Sequence, residues 1–265
     1  VVFVRPHSVV QNSLLDELIR NEFAVAVLAD HTKVKDLFHR DPECIAFLNI
    51  DDGYSEPQWL SVVKGIQESA DTAQARIGIV SYNADPVLSQ KYLMELSLPC
   101  GFVKLSLDLT ESTRTILKVL DANEAKGRRQ HLRVPCAPGS ATLNVMVAGT
   151  QVNGTLADLS SVGMACSFEH APPWKARSLV TGIQLRLRGV LCQLSAVVMG
   201  SRTDEAGNTL YILLFDPHTA GDTRERIRTY LRKTLQNQLE ATLSEGGTLG
   251  QGGTLGQGGT LGHGS

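Results

Sequence analysis

Six residues in the second half of the chain have types and spacings suited to holding a flat, anionic ligand. The run Arg128-Arg129-Gln130-His131-Leu132-Arg133 contains an RxxxR, and Asp158-Leu159-Ser160-Ser161-Val162-Gly163 reads DxSxxG. An arginine fork carries a permanent charge and planar donors, so it can pair with phosphate, bond a base edge in bidentate fashion or stack on a ring, none of which lysine reproduces well. Asp158 supplies carboxylate acceptors for N–H groups and Ser160 a hydroxyl, and their alternate spacing places both on one face of a strand. Gly163 has no Cβ, which permits a sharp turn and close approach of a ligand. The same residues also have a plainer reading, in which the arginines solvate a linker, Asp158 and Ser160 cap a β-turn and Gly163 serves only the bend. An RxxxR arises by chance about once in a chain of this size, so the weight falls on the order and spacing of the two motifs together.

The elements that must position these residues fall into two groups. From Val1 to Leu120, apolar runs alternate with amphipathic stretches: Val1–Val4, Val9–Asn21, Ala24–Leu28, Thr32–His39, Ile45–Ile50, Gln58–Ser69, Arg76–Ser81, Pro86–Leu96, Gly101–Leu105 and Ser112–Leu120. Strand and helix trade places through five βα units, which predicts a parallel sheet covered by helices on both faces. A polar, basic stretch without hydrophobic period, Asn123–Arg129, reads as a linker. Beyond it, short runs rich in β-branched and aliphatic residues at Ala141–Ala148, Val152–Leu159, Gly163–Phe168, Val180–Leu187, Leu191–Met199 and Thr209–Phe215 predict a small antiparallel barrel. After Pro217, a stripe of Ile227, Tyr230, Leu231, Thr234, Leu235, Gln238 and Leu239 predicts one long helix capped at Asp222 or Thr223. The expected domains are 1–122, 123–243 and a tail, 244–265, whose GGTLGQ repeats offer too little apolar bulk to order.

Bulk composition narrows the function classes. The chain has 265 residues, 42% hydrophobic and 20% charged, as a folded globular protein does. A formal net charge of -2 argues against holding a nucleic-acid polymer over a broad surface, so an anion site here is local. Cys44, Cys100, Cys136, Cys166 and Cys192 are scattered without a CxxC and read as reduced buried thiols. No apolar run reaches the length of a membrane span, and the expected location is cytoplasmic, although the chain opens on Val1 and a leading segment is left open. Neither a GxSxG, an HExxH nor a P-loop is present, and His131, His170, His218 and His263 lack partners at metal-binding spacing, so neither an enzyme, a cofactor nor a metal is expected. Arg202 reads as a solvated turn residue.

With both motifs intact, residues from Lys126 to Leu243 resemble the PilZ family, whose domains carry RxxxR in the loop leading into a β-barrel and [DN]xSxxG at the end of an early strand. The resemblance extends to a short apolar strand after Arg133, a strand at Met164–Phe168, an aromatic-containing last strand Leu210–Phe215 and a closing helix. It implies a bacterial second-messenger receptor with cyclic di-GMP as ligand. On that ligand Arg129 and Arg133 would clamp phosphate and guanine, Asp158 and Ser160 would meet a guanine edge, and Gly163 would let the backbone approach. Arg128, just before the motif, bears on whether one ligand or an intercalated pair is held.

The first half resembles a response-regulator receiver, a flavodoxin-like fold, with its phosphorylation residues changed. Arg5, Pro6 and His7 follow the first strand where paired acids would hold Mg²⁺, and Asn49 stands near the phospho-acceptor position, with Asp51 as the shifted alternative. Ser81 and Lys104 end the fourth and fifth strands as in a receiver. A phosphorylation-independent docking or dimerising domain is expected. The leading reading is a cyclic di-GMP effector that converts ligand binding into a domain rearrangement and altered contacts with an unidentified downstream protein. A nucleotide-independent scaffold and a true response regulator are its rivals, and the exposed face of Arg224–Leu243 leaves a homodimer open.

Overall fold

The computed structural model describes residues 1–8, 13–106, 108–126, 130–204 and 207–244. Arg128 and Arg129, the stretch Val9–Asn12 of the expected first helix, and the Gly-rich tail from residue 245 onward lie outside the described residues.

Strands β1 (Val2–Val4), β2 (Ala26–Leu28), β3 (Ile45–Asn49), β4 (Arg76–Ser81) and β5 (Phe102–Lys104) form an all-parallel sheet in the order β2-β1-β3-β4-β5. This is the flavodoxin-like order expected for alternating βα units. Every residue of β1 and β3 is buried, because both faces of the sheet are covered. Strand alternation then sorts the side chains. Phe3, Ile45 and Phe47 join α1 (Leu15–Arg20) and α5 (Leu109–Ala122), while Val2, Val4, Ala46 and Leu48 join α2 (Val34–Arg40), α3 (Glu56–Glu68) and α4 (Pro86–Leu96). The Phe3 and Phe47 rings stack with centroids 5.1 Å apart, and a Cβ on Gly78 would lie 2.7 Å from the Phe47 ring, so β4 needs glycine there. Local chemistry starts the helices where the pattern places them. Ser55 and Gln58 form a capping box at α3, Asp85 accepts from Val87 N at 2.8 Å at α4, and Asp108 accepts from Thr110 N at 2.9 Å at α5.

The second half is a closed antiparallel barrel. Strands β8 (Thr150–Ser160), β7 (Ala141–Val147), β10 (Leu179–Leu187), β11 (Val190–Thr203), β12 (Thr209–Phe215) and β9 (Gly163–Phe168) pair in that order, and β8–β9 pairing closes the ring. Closure removes the exposed edges that an open sheet of this size would carry. A short strand β6 (Arg133–Pro135) lies outside the ring against β8. Inward residues such as Leu143, Val145, Leu156, Ile183, Leu185, Leu194, Ala196 and Leu213 are buried.

Helix α6 (Gly221–Ser244) follows the barrel. The cap expected at Asp222 or Thr223 falls inside the helix, since Arg224 N already bonds Ala220 O at 3.1 Å. Thr223 instead turns inward and its hydroxyl donates to Gln193 O. Ile227, Tyr230 and Leu231 belong to the barrel's cluster, whereas Leu239 and Leu243 rest against the α2–α4 side of the first sheet. One helix thus touches both halves. The barrel core is also continuous with the α1/α5 core, while the α2–α4 side of the first sheet forms a separate cluster. Among the described residues, no helix is long and apolar enough to cross a membrane.

Candidate functional site at the barrel mouth

Pairing of β6 with β8 brings the two motifs together. Arg133 lies opposite Ser160, Val134 opposite Leu159 and Pro135 opposite Asp158. Leu132 and Val134 are buried and anchor the segment, which leaves the half-exposed Arg133 guanidinium free to turn toward Asp158, with Nε 3.5 Å from Oδ1. That separation makes an ion pair but is too long for a strong hydrogen bond. Asp158 Oδ1 is sealed from solvent and accepts no hydrogen bond among the described residues. A bulge in β8, where Leu156 pairs with Cys166 and Asp158 with Ala165 so that Ala157 is the extra residue, sets Asp158 and Ala165 on the opposite face from Leu159 and Met164, which join the core. The charge of Asp158 reaches the interior. Burial first, and the Asp158 carboxylate second, push the Cys166 thiol up to about 12.

Ser160 and Gly163 occupy the β8–β9 turn. The Ser160 hydroxyl donates to Gly163 O at 2.9 Å and its Oγ accepts from Gly163 N at 3.0 Å, so this buried side chain is spent on the turn. Gly163 does not have a positive φ; the turn expected to need glycine for its torsion needs it for contact instead. A Cβ on Gly163 would lie 2.5 Å from Leu213 O, the backbone of neighbouring strand β12. Of the expected site residues, Arg133, Asp158, Ser160 and Gly163 are therefore brought together, and Arg128 and Arg129 lie outside the described residues.

Two residues that the motif reading did not nominate reach this place. Glu22, from the loop after α1, accepts from Leu132 N at 2.8 Å and from the Ser161 hydroxyl at 2.7 Å. Ser161 sits at an unspecified position inside DxSxxG, and Glu22 is 110 and 139 residues away from its partners, so no local pattern marks either.

At the C-terminal edge of the first sheet, Asn49 is buried, donates to Arg5 O at 2.7 Å and accepts from Asp51 N at 3.1 Å. The Asp51 carboxylate accepts from the Ser81 hydroxyl and, at 2.7 Å, from Tyr82 N, with His7 Nε2 at 3.1 Å. Arg5 pairs with Asp52 at 2.7 Å. The Arg5 guanidinium, and then the Gly53 N–H, hold the Asp52 carboxyl below its ordinary value. Among the described residues, no group of three or more His, Cys, Asp or Glu side chains is placed to hold a metal ion.

Residues 127–233 match the family model described as the PilZ domain. No curated protein matches the chain. Among solved structures, it is similar to YcgR from Escherichia coli in complex with c-di-GMP at 14% identity, over 44% of this chain and 48% of that one, with a TM-score of 0.36. It is similar to the inhibitor of motility MotI/DgrA of Bacillus subtilis at 15% identity, over 43% and 52%, with a TM-score of 0.36. The K. pneumonia MrkH–c-di-GMP complex gives 18% identity, 44% and 55%, and a TM-score of 0.38. The matched stretch spans about half the length of these chains. The chain carries a PilZ domain in its C-terminal half, behind a receiver-like parallel α/β domain.

Proposed function

We propose that this protein is a non-enzymatic receptor for cyclic di-GMP, with the ligand held between Arg128, Arg129 and Arg133 on one side and the Asp158–Gly163 turn on the other. The observation that carries the reading is Asp158: a carboxylate oxygen sealed from solvent, without a hydrogen bond among the described residues, and beside an arginine of the partner motif. A guanine presents N1–H and N2–H donors that would satisfy such a carboxylate, while arginine forks answer its O6/N7 edge and the phosphates. Ser160 and Gly163 fix the turn at the required place, Ser160 through its hydroxyl and Gly163 through the absence of a side chain.

The reading assigns residues 1–122 to a receiver-like output or docking domain and 123–243 to the receptor domain. Binding draws the arginine loop over the barrel mouth and shifts the two domains about α6, which touches both. The altered surface then meets a downstream protein. Titration calorimetry with cyclic di-GMP tests this on the wild type, Arg129→Ala, Arg133→Ala and Asp158→Ala. Micromolar or tighter binding by the wild type, lost in the variants, is the expected result; absence of heat from the wild type overturns the reading.

A further inference from the structure

One carboxylate of the first domain holds both motifs of the second. Glu22 Oε2 accepts from the backbone N–H of Leu132, the residue before Arg133, and Oε1 accepts from the hydroxyl of Ser161, inside DxSxxG. His131 Nδ1 stands 3.7 Å from Oε1. The Glu22 side chain is only 20% exposed, so these bonds are partly shielded from water. The linker is held a second time close by, where the Lys126 ammonium lies 4.5 Å above the Phe23 ring. Lys126 and Leu132 flank the segment that carries Arg128 and Arg129.

The backbone at Glu22 points the same way. Glu22 takes a left-handed φ of 67° just past the end of α1, with its N bonded to Ile19 O at 2.9 Å and Phe23 N bonded to Leu18 O at 3.0 Å. Glycine is the usual residue at such a helix end, since a Cβ crowds the backbone in the left-handed region. Glutamate is thus a poor choice for the helix and a good one for the contact.

Resting on the receptor reading, we infer that Glu22 is an affinity-setting residue of the ligand site: a resident anion that ties the arginine segment to the first domain and that the dianionic ligand must displace. Its charge opposes the ligand's phosphates, and its acceptors hold the segment in the ligand-free position. Displacement frees Leu132 N–H and Ser161 together, so occupancy at the barrel is transmitted to the end of α1 through a single side chain. Glu22 acts on the ligand through Leu132 and Ser161 and is in that sense a positioning residue.

Three variants separate charge from contact. Glu22→Gln keeps an acceptor and removes the charge, Glu22→Gly removes both and relaxes the left-handed backbone, and Glu17→Gln removes an equal charge from the exposed face of α1, away from the motifs. Calorimetry with cyclic di-GMP is expected to show tighter binding by about fivefold for Glu22→Gln and more for Glu22→Gly, with Glu17→Gln unchanged. Amide hydrogen exchange at Leu132 without ligand is expected to speed up in Glu22→Gly. Wild-type binding with equal or weaker affinity in both Glu22 variants overturns this inference and leaves the receptor reading standing, as does a Leu132 amide whose exchange ignores Glu22. No heat from any of the four chains removes the receptor reading and this inference with it.

Discussion

The side-chain amide of Gln236 pairs with the backbone of Val27 as another strand would: Oε1 accepts from Val27 N at 2.9 Å and Nε2 donates to Val27 O at 3.0 Å. Strand β2 is the edge of the parallel sheet, and Gln236, on a helix of the other half, closes it. Four residues earlier on α6, Arg232 Nη1 meets Asp16 Oδ1 at 2.6 Å. The helix is therefore latched to the first domain by directional bonds as well as by Leu239 and Leu243. Gln236→Ala leaves both Val27 groups to water or unpaired, and the expected loss is about 1–3 kcal/mol in denaturant unfolding. Faster hydrogen exchange of the Val27 amide accompanies it. An unchanged midpoint and unchanged exchange would show that the apolar contacts alone hold α6.

Asp158 should trade stability for binding. Among the described residues its buried Oδ1 accepts no hydrogen bond and has Arg133 Nε at 3.5 Å, and an incompletely satisfied buried carboxylate is a cost to the ligand-free fold. Arg133, being half exposed, loses little when its partner goes. Asp158→Ala is thus expected to raise the thermal midpoint of the ligand-free protein while abolishing cyclic di-GMP binding. The Cys166 thiol, held up by burial and secondarily by this carboxylate, moves back toward its ordinary value in the same variant. A lowered midpoint in Asp158→Ala would mean that the Arg133–Asp158 pair is a net stabiliser.

Gly163 and Arg133 belong to the same site and should fail in opposite ways. Any side chain at 163 meets Leu213 O, a backbone atom that cannot swing aside. Gly163→Ala is expected to lose about 1–3 kcal/mol through overpacking, and its binding follows its stability. Arg133→Lys, which keeps a cation beside the buried Asp158 oxygen but loses the planar fork, is expected to leave the unfolding free energy within about 0.5 kcal/mol and to weaken binding alone. The comparison needs only one denaturant series and one titration series on each variant.

These residues mark how far the sequence could be read. The β strands and helices are legible from their patterns: Ile45–Leu48 is an apolar run in a sheet covered on both faces, and the stripe Ile227, Tyr230, Leu231 and Thr234 is the buried face of α6. The motif residues Arg133, Asp158, Ser160 and Gly163 are adjacent because β6, with three residues too short to show a period, pairs with β8. Contacts set by tertiary packing leave no such trace. Ser160 looks like a ligand contact by type and spends its hydroxyl on Gly163, while Glu22 looks like a surface residue and binds both motifs. Gly163 announces a special backbone, and only the distance to Leu213 O tells that the reason is space and not torsion.

The first domain is expected to refuse phosphate. Transfer from a phosphodonor to a carboxylate needs a free oxygen nucleophile and a divalent cation bound through oxygens to offset the developing charge. Asn49 ends β3 with an amide, which is bonded to Arg5 O and Asp51 N. Asp51 lies against Ser81, and its oxygens already accept from the Ser81 hydroxyl and Tyr82 N, with His7 on the same side. The second acid, Asp52, is neutralised by Arg5, whose guanidinium repels a cation brought up to this pair. Incubation with acetyl phosphate and Mg²⁺ is therefore expected to leave the intact mass unchanged, in the wild type and in Asn49→Ala alike. A phosphoryl adduct that vanishes in Asp51→Asn would restore a response regulator, with the Ser81 and Tyr82 donors serving the phosphoryl group in place of the Asp51 carboxylate they hold here.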